Sequence, residues 1–244
     1  IYVDALDAFS AKGFLFLERL RPQDKKWNPD YPYDDLQVIF DRYQIISGIN
    51  NCHHFTPDIQ IGLDIGWGGT LRKLKEQKAV HDESHAEFSD AEIAVVEAII
   101  AFINRAGDEI EALACQEQNK QLSENLHEMA AIDHRISTEP PKTFREAIQW
   151  SNWFSMISRT YNRGSAGGQL EDLFNPFYER DIKAGILTDE EAVFYLACMF
   201  LQDSRYWQLS GPDIHDNDTT CHLSYLALDA ADKINIACNL TIRM

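Results

Sequence analysis

The spacing of apolar residues along this chain predicts three long helices. Between residues 90 and 117 apolar positions recur every three or four residues, which is typical of one buried helix face: Ile93, Val96, Ile100, Ile103, Ile110 and Leu113. Residues 143–158 contain IQWSNWFSMI, which is apolar almost all round and predicts a helix enclosed in a larger core. Residues 190–201 predict the third helix.

Short motifs predict where these helices begin. In a capping box the hydroxyl of a Ser or Thr accepts a hydrogen bond from the backbone N–H three residues later. The Glu side chain at that later position accepts a hydrogen bond from the free backbone N–H of the Ser or Thr. Three pairs have this spacing, and each is expected to start one of the three helices: Ser89 with Glu92, Thr143 with Glu146, and Thr188 with Glu191.

The end of the chain changes to a period of two. Residues 234–243, INIACNLTIR, alternate apolar and polar side chains, which is the repeat of a β-strand. One face of this strand is polar, and the residues alone fit equally an edge strand with that face in water and a strand with that face turned inward. The preceding stretch 209–225 is rich in Asp, Thr and His and is expected to be a turn-rich connection.

Composition narrows the class of protein. The chain has 244 residues, of which 45% are hydrophobic, so it is long enough and apolar enough to bury a sizeable core. A formal net charge of -17 argues against binding to a nucleic-acid backbone, which draws on clustered Lys and Arg. No apolar run approaches the roughly 20 residues that span a bilayer, and the start resembles no leader peptide, so a cytoplasmic protein is expected.

Metal, nucleotide and disulfide motifs are weak. Five cysteines are widely spaced and never form CxxC, which predicts reduced thiols rather than a disulfide framework or a zinc knuckle. Glycines at 62–69 lack the GK[ST] ending of a phosphate loop. His81 and His85 have zinc-ligand spacing without an evident third ligand, and Cys52 to His54 are adjacent residues that rarely point the same way. We therefore expect no metal site.

Four segments carry the strongest functional signal: PPKTFREAIQW from Pro140, LFNPFYERDIKAGIL ending at Leu187, CHHFTPD at 52–58, and the closing NLTIR. Together they resemble the glycyl radical enzymes, the superfamily of pyruvate formate-lyase and the radical dehydratases. Members of that family keep a PP-x-TF-x-EA-x-Q helix start and then a Gly-rich loop that leads into a P-[FY]-Y-x-x-D helix. Both motifs occur here in that order, and the resemblance runs from about residue 48 to the end.

The resemblance implies a fold that is predominantly α with some β, forming part of the ten-stranded α/β barrel of glycyl radical enzymes. It divides the chain into an N-terminal helical segment, residues 1–47, and a pyruvate formate-lyase-like domain, residues 48–244, incomplete at its C-terminus. In that domain the helices 90–117 and 143–158 are expected to enclose the site. The C-terminal strand would then lie in the barrel with Asn239, Thr241 and Arg243 facing inward.

The resemblance also implies a mechanism. A separate S-adenosylmethionine radical activase installs a glycyl radical, which converts a cysteine to a thiyl radical that abstracts hydrogen from a small-molecule substrate. The motifs of that cysteine and that glycine are absent from this sequence, and Cys115 of Cys115-Gln-Glu117 lies in a helical pattern where the family has no reactive cysteine. We expect Cys115 to be a buried or half-buried helical thiol, no residue here to be catalytic, and no cofactor to be bound.

The expected role is therefore to supply walls of the substrate pocket to a homo-oligomeric radical lyase, dehydratase or formate acetyltransferase-like enzyme, with the chain inactive by itself. The alternative is a catalytically inactive helical binding or scaffold protein derived from the same domain. An open reading frame that continues past Met244 into the missing motifs would favour the enzyme.

Four residues are implied as substrate contacts: His54, Arg163, Asn239 and Arg243. His54 lies in HFTPD, which matches the pocket-lining segment of the dehydratases, with His53 in place of their glycine. Arg163 lies in the loop where the dehydratases carry a Gly-His-Ser type sequence. The His and Ser are absent here, which argues against a glycerol-like diol and allows an anionic substrate, and the alternative is a solvated loop arginine. The loop 209–225 is a further candidate for the pocket wall, with an ordinary connection as its alternative.

Overall fold

The computed structural model describes residue 42 and residues 56–80, 85–159, 166–202, 206–213, 215–236 and 238–243. All of these except Arg42 belong to one compact unit, which comprises His53–Arg159 and Gly164–Met244. The predicted N-terminal helical segment, residues 1–47, lies outside the described residues apart from Arg42, which is helical.

Helices dominate the described residues, and three short strands form a small sheet, which confirms the expected fold class. In chain order the elements are α1 (Ile59–Val80), α2 (Ala86–Gln116), α3 (Lys120–Ile136), α4 (Phe144–Arg159), β1 (Ala166–Gln169), α5 (Leu170–Ala184), α6 (Asp189–Gln202), β2 (Tyr206–Leu209), α7 (His222–Ile234) and β3 (Leu240–Ile242). Within the described ranges no helix is both long enough and apolar enough to cross a bilayer.

Two of the three predicted capping boxes are present. At the start of α4 the Glu146 amide donates to Thr143 Oγ1 at 3.2 Å, and the Thr143 amide donates to Glu146 Oε2 at 3.0 Å. The start of α6 has the same reciprocal bonds between Thr188 and Glu191, at 3.2 and 2.8 Å. Both helices begin where the hydroxyl and carboxylate satisfy backbone donors that have no partner within the helix.

The third prediction, a capping box of Ser89 with Glu92, was wrong. Helix α2 begins at Ala86, so Ser89 lies in its first turn and is buried instead of forming the cap. Beyond this first turn, ion pairs of Lys78 with Asp90 and of Lys75 with Glu97 join α1 to α2. Leu113 was also assigned to the buried face of this helix, but 56% of it is exposed.

The two segments PPKTFREAIQW and NPFYERD meet in the fold. Asp181, at the end of NPFYERD on α5, accepts the Phe144 amide at 2.6 Å, at the first turn of α4. Phe144 also packs edge-on against Tyr178 of the same segment, with ring centroids 6.1 Å apart. An anion at a helix N-terminus satisfies free donors and complements the helix dipole. The two motifs therefore form one structural joint between α4 and α5.

Aromatic side chains fill the core between α1 and α4. Trp150 stacks on Trp67 and Phe154, with centroids 5.1 and 5.7 Å away, and only 2% of Trp150 is exposed. A Cβ at Gly62 would lie 1.9 Å from the Trp150 ring, so this glycine lets α1 approach α4 closely. The glycines that resembled a phosphate loop thus belong to a helix that packs on the core.

Helix α1 is kinked at Gly66, whose φ of 63° is favourable only for glycine. A Cβ there would lie 2.6 Å from the Glu139 backbone, and the neighbouring Gly68 amide donates to the Thr138 carbonyl at 2.8 Å. The kink therefore seats α1 on the segment that leads from α3 into α4.

The sheet is parallel throughout, with strand order β1-β2-β3. Trp207 of the central strand is 1% exposed and covers Gly167 of β1, where a Cβ would lie 2.4 Å from the indole ring. Residues 166–169, which the family pattern assigned to a Gly-rich loop, are therefore a strand that needs a glycine beneath Trp207.

The predicted strand over residues 234–243 was too long. Strand β3 comprises Leu240–Ile242, its hydrogen bonds to β2 reach from Asn239 to Arg243, and Ile234 is the last residue of α7. The apolar positions of α7 that precede Ile234 have helical spacing, and Asn235 ends the helix in the left-handed conformation at φ 49°. The alternation at the start of residues 234–243 was therefore not a strand signal.

Candidate functional site

A cavity of about 530 Å³ opens at the carboxyl ends of β2 and β3. We call it the strand-end cavity; it is lined by Leu209, Ser210, Gly211, Pro212, Asp216, Asp218, Thr220, Ser224, Tyr225, Leu228, Ile242 and Arg243. In open parallel sheets the carboxyl ends of the strands are the usual place for ligands. The location alone makes this cavity the leading candidate site.

A buried carboxylate holds the floor of the strand-end cavity together. Glu171 of α5 is 4% exposed, and its Oε1 accepts the Ser210 amide at 2.9 Å and the Ser224 hydroxyl at 2.5 Å. Its Oε2 accepts the Gln169 amide side chain at 3.1 Å. One side chain therefore joins the ends of β1 and β2 to the first turn of α7 through charge-assisted hydrogen bonds.

The backbone at the end of β2 has an unfavourable conformation that the surrounding hydrogen bonds stabilise. Ser210 has a φ of 62°, an uncommon conformation for a residue other than glycine. Its amide is bound by Glu171, and its carbonyl accepts the Gln169 side chain at 2.8 Å. Surrounding hydrogen bonds of this kind are what maintain such a conformation, and strained backbone of this type clusters at functional sites.

Arg243 lies across the next residue, Gly211. Gly211 has a φ of 96°, and a Cβ on it would come within 2.5 Å of Arg243 Cβ and 3.2 Å of Arg243 Nε. The Arg243 amide donates to the Leu209 carbonyl at 2.9 Å, which continues the β2–β3 ladder by one residue. Glycine at position 211 thus admits the guanidinium stem into the strand-end cavity.

The loop from 212 to 220 brings carboxylates to the rim. Asp218 Oδ1 accepts the Thr220 hydroxyl at 2.6 Å and the Thr220 amide at 2.9 Å, and these bonds lower the pKa of the Asp218 carboxyl. Asp213 is held in the same way: hydrogen bonds from the Asn217 side chain, then from backbone amides, lower its pKa. Of these two carboxylates, Asp218 lines the strand-end cavity and stays anionic near neutral pH; Arg243 is part of the same lining.

The N-terminus of α7 forms one wall of the strand-end cavity. Cys221 is its N-cap, and the Cys221 amide donates to Ser224 Oγ at 3.1 Å, while the same hydroxyl donates to Glu171. The Cys221 thiol donates to Asn175 Oδ1 at 3.4 Å. This thiol therefore links the start of α7 to α5.

The structure describes two of the four predicted site residues. Arg243 lines the strand-end cavity, whereas Asn239 is absent from its lining. Asn239 lies just before β3, about 13 Å along the strand from Arg243 at 3.3 Å per residue. His54 and Arg163 lie outside the described residues, as does His81 of the zinc-spaced histidine pair. Whether any of the four contacts a substrate stays a prediction.

Sequence reasoning missed Glu171, Ser210 and Ser224. Glu171 and Asp172 lie side by side between Leu170 and Leu173, and no local signal indicates which of the two carboxylates is buried. In the structure Glu171 is buried, where a charged residue requires partners. Those partners come from residues about 40 and 53 positions away, so the sequence alone does not identify them. The expectation that segment 209–225 contributes to a pocket wall agrees with the lining of the strand-end cavity.

A second cavity of about 350 Å³ lies among α2, α3, α4 and α6. At its base Asp133 is 1% exposed, and its Oδ1 accepts both the Gln149 side chain and the Trp153 indole N–H at 2.6 Å. Burial raises the pKa of Asp133, although these two hydrogen bonds work in the opposite direction. Gln149 is the last residue of the TF-x-EA-x-Q pattern, so this motif anchors α4 to α3.

Solved glycyl radical enzymes share this arrangement of helices and strands. A glycyl radical enzyme from Archaeoglobus fulgidus superposes with a TM-score of 0.76 at 23% identity, over 96% of this chain and 35% of that one. The glycerol-bound form of the B12-independent glycerol dehydratase from Clostridium butyricum has a TM-score of 0.74 at 22% identity, over 80% of this chain and 28% of that one. The fold is part of a glycyl radical enzyme barrel.

The sequence comparison agrees. A model of the family described as pyruvate formate lyase-like matches residues 39–244, and this chain belongs to that family. A curated relative, the isethionate sulfite-lyase of Bilophila wadsworthia, is 28% identical over 183 residues, which are 69% of this chain and 22% of the relative. The chain thus spans about a fifth of the length of that relative. The resemblance drawn from the sequence motifs is confirmed.

Proposed function

We propose that this chain supplies part of the substrate-pocket wall of a glycyl radical lyase or dehydratase, and that the strand-end cavity is the part of the pocket it contributes. The observation that carries the proposal is the placement of Arg243 across Gly211 at the carboxyl ends of parallel strands. Family membership supplies the reaction class. When present in the full-length enzyme, the glycyl radical supplies hydrogen abstraction, and a separate activase installs it.

The residues of the strand-end cavity favour a small polar substrate with an anionic group. Among the described residues no carboxylate lies within ion-pair distance of the Arg243 guanidinium, so its planar donor fork is available to a carboxylate or sulfonate. The lining also includes Thr220 and the carboxylates at 216 and 218, which suit hydroxyl or amino groups of the same molecule, together with apolar side chains such as Leu228 and Ile242.

The decisive experiment compares Arg243→Ala with wild type in the full-length, radical-containing enzyme. The substrate panel consists of small hydroxy-carboxylates and hydroxy-sulfonates, each matched to a neutral diol. We expect kcat/KM for the anionic substrates to fall by about 10- to 150-fold, the equivalent of roughly 1.5–3 kcal/mol for a hydrogen bond to a charged group. The neutral diols should change little.

A matched control is Arg72→Ala, since Arg72 is an exposed arginine on α1 whose partner is Glu76 on the same helix. It should leave both substrate classes unchanged. Equal losses for anions and diols in Arg243→Ala would contradict the proposed contact. Absence of any turnover in a radical-containing wild-type protein would favour the alternative of a binding protein without catalysis.

His54 is proposed as a second pocket residue, on the match of HFTPD to the dehydratases. A neutral imidazole suits hydrogen bonding or proton transfer to a hydroxyl group better than recognition of a carboxylate. Pyruvate should then be a poor substrate, and His54→Ala should lower turnover by roughly 100- to 10,000-fold, as for general acid–base residues. Unchanged turnover per folded, radical-containing molecule would identify His54 as structural.

The remaining expectations belong to the same proposal. Arg163 would be a further contact for the anionic group, and Asn239 would contact substrate only where further strands extend the pocket along β3. The full-length enzyme is proposed to be a cytoplasmic homo-oligomer that meets its activase for radical installation.

A further inference from the structure

The hairpin of α2 and α3 brings three different metal-ligating groups together, far along the chain from the strand-end cavity. The carboxylate of Glu111, the thiol of Cys115 and the ring of His127 have ligand atoms that all lie within 4.8 Å of one another. We propose that these three side chains, the hairpin triad, bind a divalent transition metal ion of the zinc class. The proposal is independent of the function assigned to the strand-end cavity.

Helix geometry makes the hairpin triad. Glu111 and Cys115 are four residues apart on α2, so they lie on the same face one turn apart. His127 of α3 faces them, and its Nδ1 is 2.9 Å from both carboxylate oxygens of Glu111. The three side chains therefore come from two helices packed against each other, and none comes from a loop.

Hydrogen bonds on both sides of the hairpin triad hold the two helices in register. Toward the connection between the helices, the Ser123 hydroxyl donates to the Ala114 carbonyl at 2.8 Å. Away from it, the Asn104 side chain donates to Ser137 Oγ at 3.0 Å. A ligand set supported in this way is already assembled, so a metal ion would not need to order the chain in order to bind.

The donor atoms define the class of ion. Thiolate with imidazole and carboxylate is a set that zinc and cobalt accept, whereas magnesium and calcium prefer oxygen ligands alone. Ligand atoms around tetrahedral zinc are about 3.3–3.8 Å apart, so a limit of 4.8 Å means that no separation has to shorten by more than about 1.5 Å to close the site. Three protein ligands would leave a fourth position for water or another ligand.

The local charge also favours a cation. Cys115 is the second-last residue of α2, and the last turn of this helix contains no basic residue. The negative end of the helix dipole is therefore not offset by a side chain of that turn. The alternative is a surface ion pair of His127 with Glu111 alone. That pair would not account for the thiol beside it or for the uncompensated negative end of the α2 dipole. Cys115 is exposed rather than buried or half-buried as expected from the sequence, so its thiol is accessible to a metal ion.

Titration of the 244-residue chain with cobalt(II) alone, under anaerobic and reducing conditions, tests the proposal. We expect one equivalent to bind and to produce the near-ultraviolet absorption of a thiolate–cobalt bond. Cys115→Ser should abolish that absorption, and His127→Asn and Glu111→Gln should each weaken binding by about 10-fold or more. All three side chains are at the surface, so unchanged circular dichroism melts would show that the variants remain folded.

Matched controls separate the hairpin triad from general metal affinity. His134→Asn removes another α3 histidine, one whose ring contacts Asn104 and Asp108 instead. Cys198→Ser removes a half-buried thiol outside the triad. Both controls should bind cobalt as the wild type does. A cobalt–thiolate signal that survives Cys115→Ser, or that disappears in Cys198→Ser, would overturn the assignment.

Protection from alkylation gives a second readout. One equivalent of zinc(II) should slow the reaction of Cys115 with iodoacetamide by about 10-fold or more, because a metal-bound thiolate is a weaker nucleophile than a free one. Mass spectrometry of the Cys115 peptide measures the rate, and the Cys238 peptide provides the internal reference. The same rate with and without zinc would overturn the proposal, as would the absence of a cobalt–thiolate band in the wild type.

Discussion

The helical core and the strand-end cavity of this chain are stabilised in opposite ways. Trp150 and Phe144 are held by stacked and edge-on rings, with little use of polar groups. The floor of the strand-end cavity depends on Glu171, whose carboxylate binds three donors from three segments of the chain. Apolar packing tolerates small shifts, whereas a charged hydrogen-bond network specifies positions. The polar region is therefore the one suited to presenting substrate contacts.

The two regions also differ in exposure. Trp150 and Phe144 of the core are 2% and 0% exposed, whereas large apolar groups around the strand-end cavity remain exposed, among them Tyr225 at 63% and Ile242 at 54%. Substitutions in the two regions should therefore differ in both size and kind.

The largest effect is expected in the core. Trp150→Ala removes a ring that stacks on two others and is 2% exposed, so the free energy of unfolding should fall by about 3–5 kcal/mol. The control Phe88→Ala removes an aromatic ring that is 67% exposed and should change stability by about 0.5 kcal/mol or less. Urea denaturation measures both, and equal effects would contradict the assignment of the core.

At the strand-end cavity, Gly211→Ala should cost more than Gly185→Ala. Both glycines have positive φ, 96° and 70°, so each substitution carries backbone strain of about 1–2 kcal/mol. Only Gly211 has a close neighbour, since a Cβ would clash with Arg243, whereas Gly185 has open space within 4 Å. The excess, about 1 kcal/mol or more, measures this close approach. Equal losses in thermal or urea unfolding would mean that Arg243 moves aside without cost.

Removing the charge of Glu171 should have a similar or smaller effect. In Glu171→Gln an NH2 group replaces one carboxylate oxygen, so a hydrogen-bond donor then faces the donors from which that oxygen accepts. The free energy of unfolding should therefore fall by about 1–3 kcal/mol. Glu179→Gln is the matched control on the same helix, because Glu179 is exposed and accepts only from Asn175 among the hydrogen bonds of the described residues. A loss no larger than that of the control would show that the network does not hold the floor of the cavity.

The smallest effect expected is a pH dependence of stability from Asp133, the buried carboxylate of the second cavity. The pKa of Asp133 is raised by burial above its ordinary value of 3.8, so the folded chain binds this proton more tightly than the unfolded chain. The stabilising contribution of the protonated form is present at low pH and is lost as pH rises through the folded pKa. Asp133→Asn is neutral throughout and should gain stability relative to wild type as pH rises.

The measurement is the difference in unfolding free energy between Asp133→Asn and wild type, from pH 3.5 upward to neutral. Taking the difference cancels the pH-dependent contributions of other carboxylates. One of these is Asp189, whose pKa is lowered by the Tyr178 hydroxyl and by His222. A difference for Asp133→Asn that does not change with pH would contradict a raised pKa of Asp133.

Much of the helical body was predictable because its signals are local. Thr143 with Glu146 and Thr188 with Glu191 define helix starts within four residues of sequence, and the structure contains both boxes. Ser89 has the same local pattern and failed because α2 begins one turn earlier, at Ala86. A capping motif specifies a permitted start, and packing against α1 decides whether it is used.

The candidate site was only partly predictable. Arg243 was implied by the family motif and by the period of the last residues, and the structure places it in the strand-end cavity. Glu171, Ser210 and Gly211 were missed, because their roles depend on contacts between segments some 40 residues apart. The hairpin triad was missed for a related reason: His127 meets Cys115 only because two helices pack antiparallel in one register.

The sequence by itself determined the family, the dominance of helix, and the starts of α4 and α6, since these depend on motifs and periods within a few residues. Tertiary structure decided where the last strand begins, which carboxylates are buried, and which side chains share a cavity. The physical reason is that burial and hydrogen bonding between distant segments set the environment of each polar group. No local pattern contains that information.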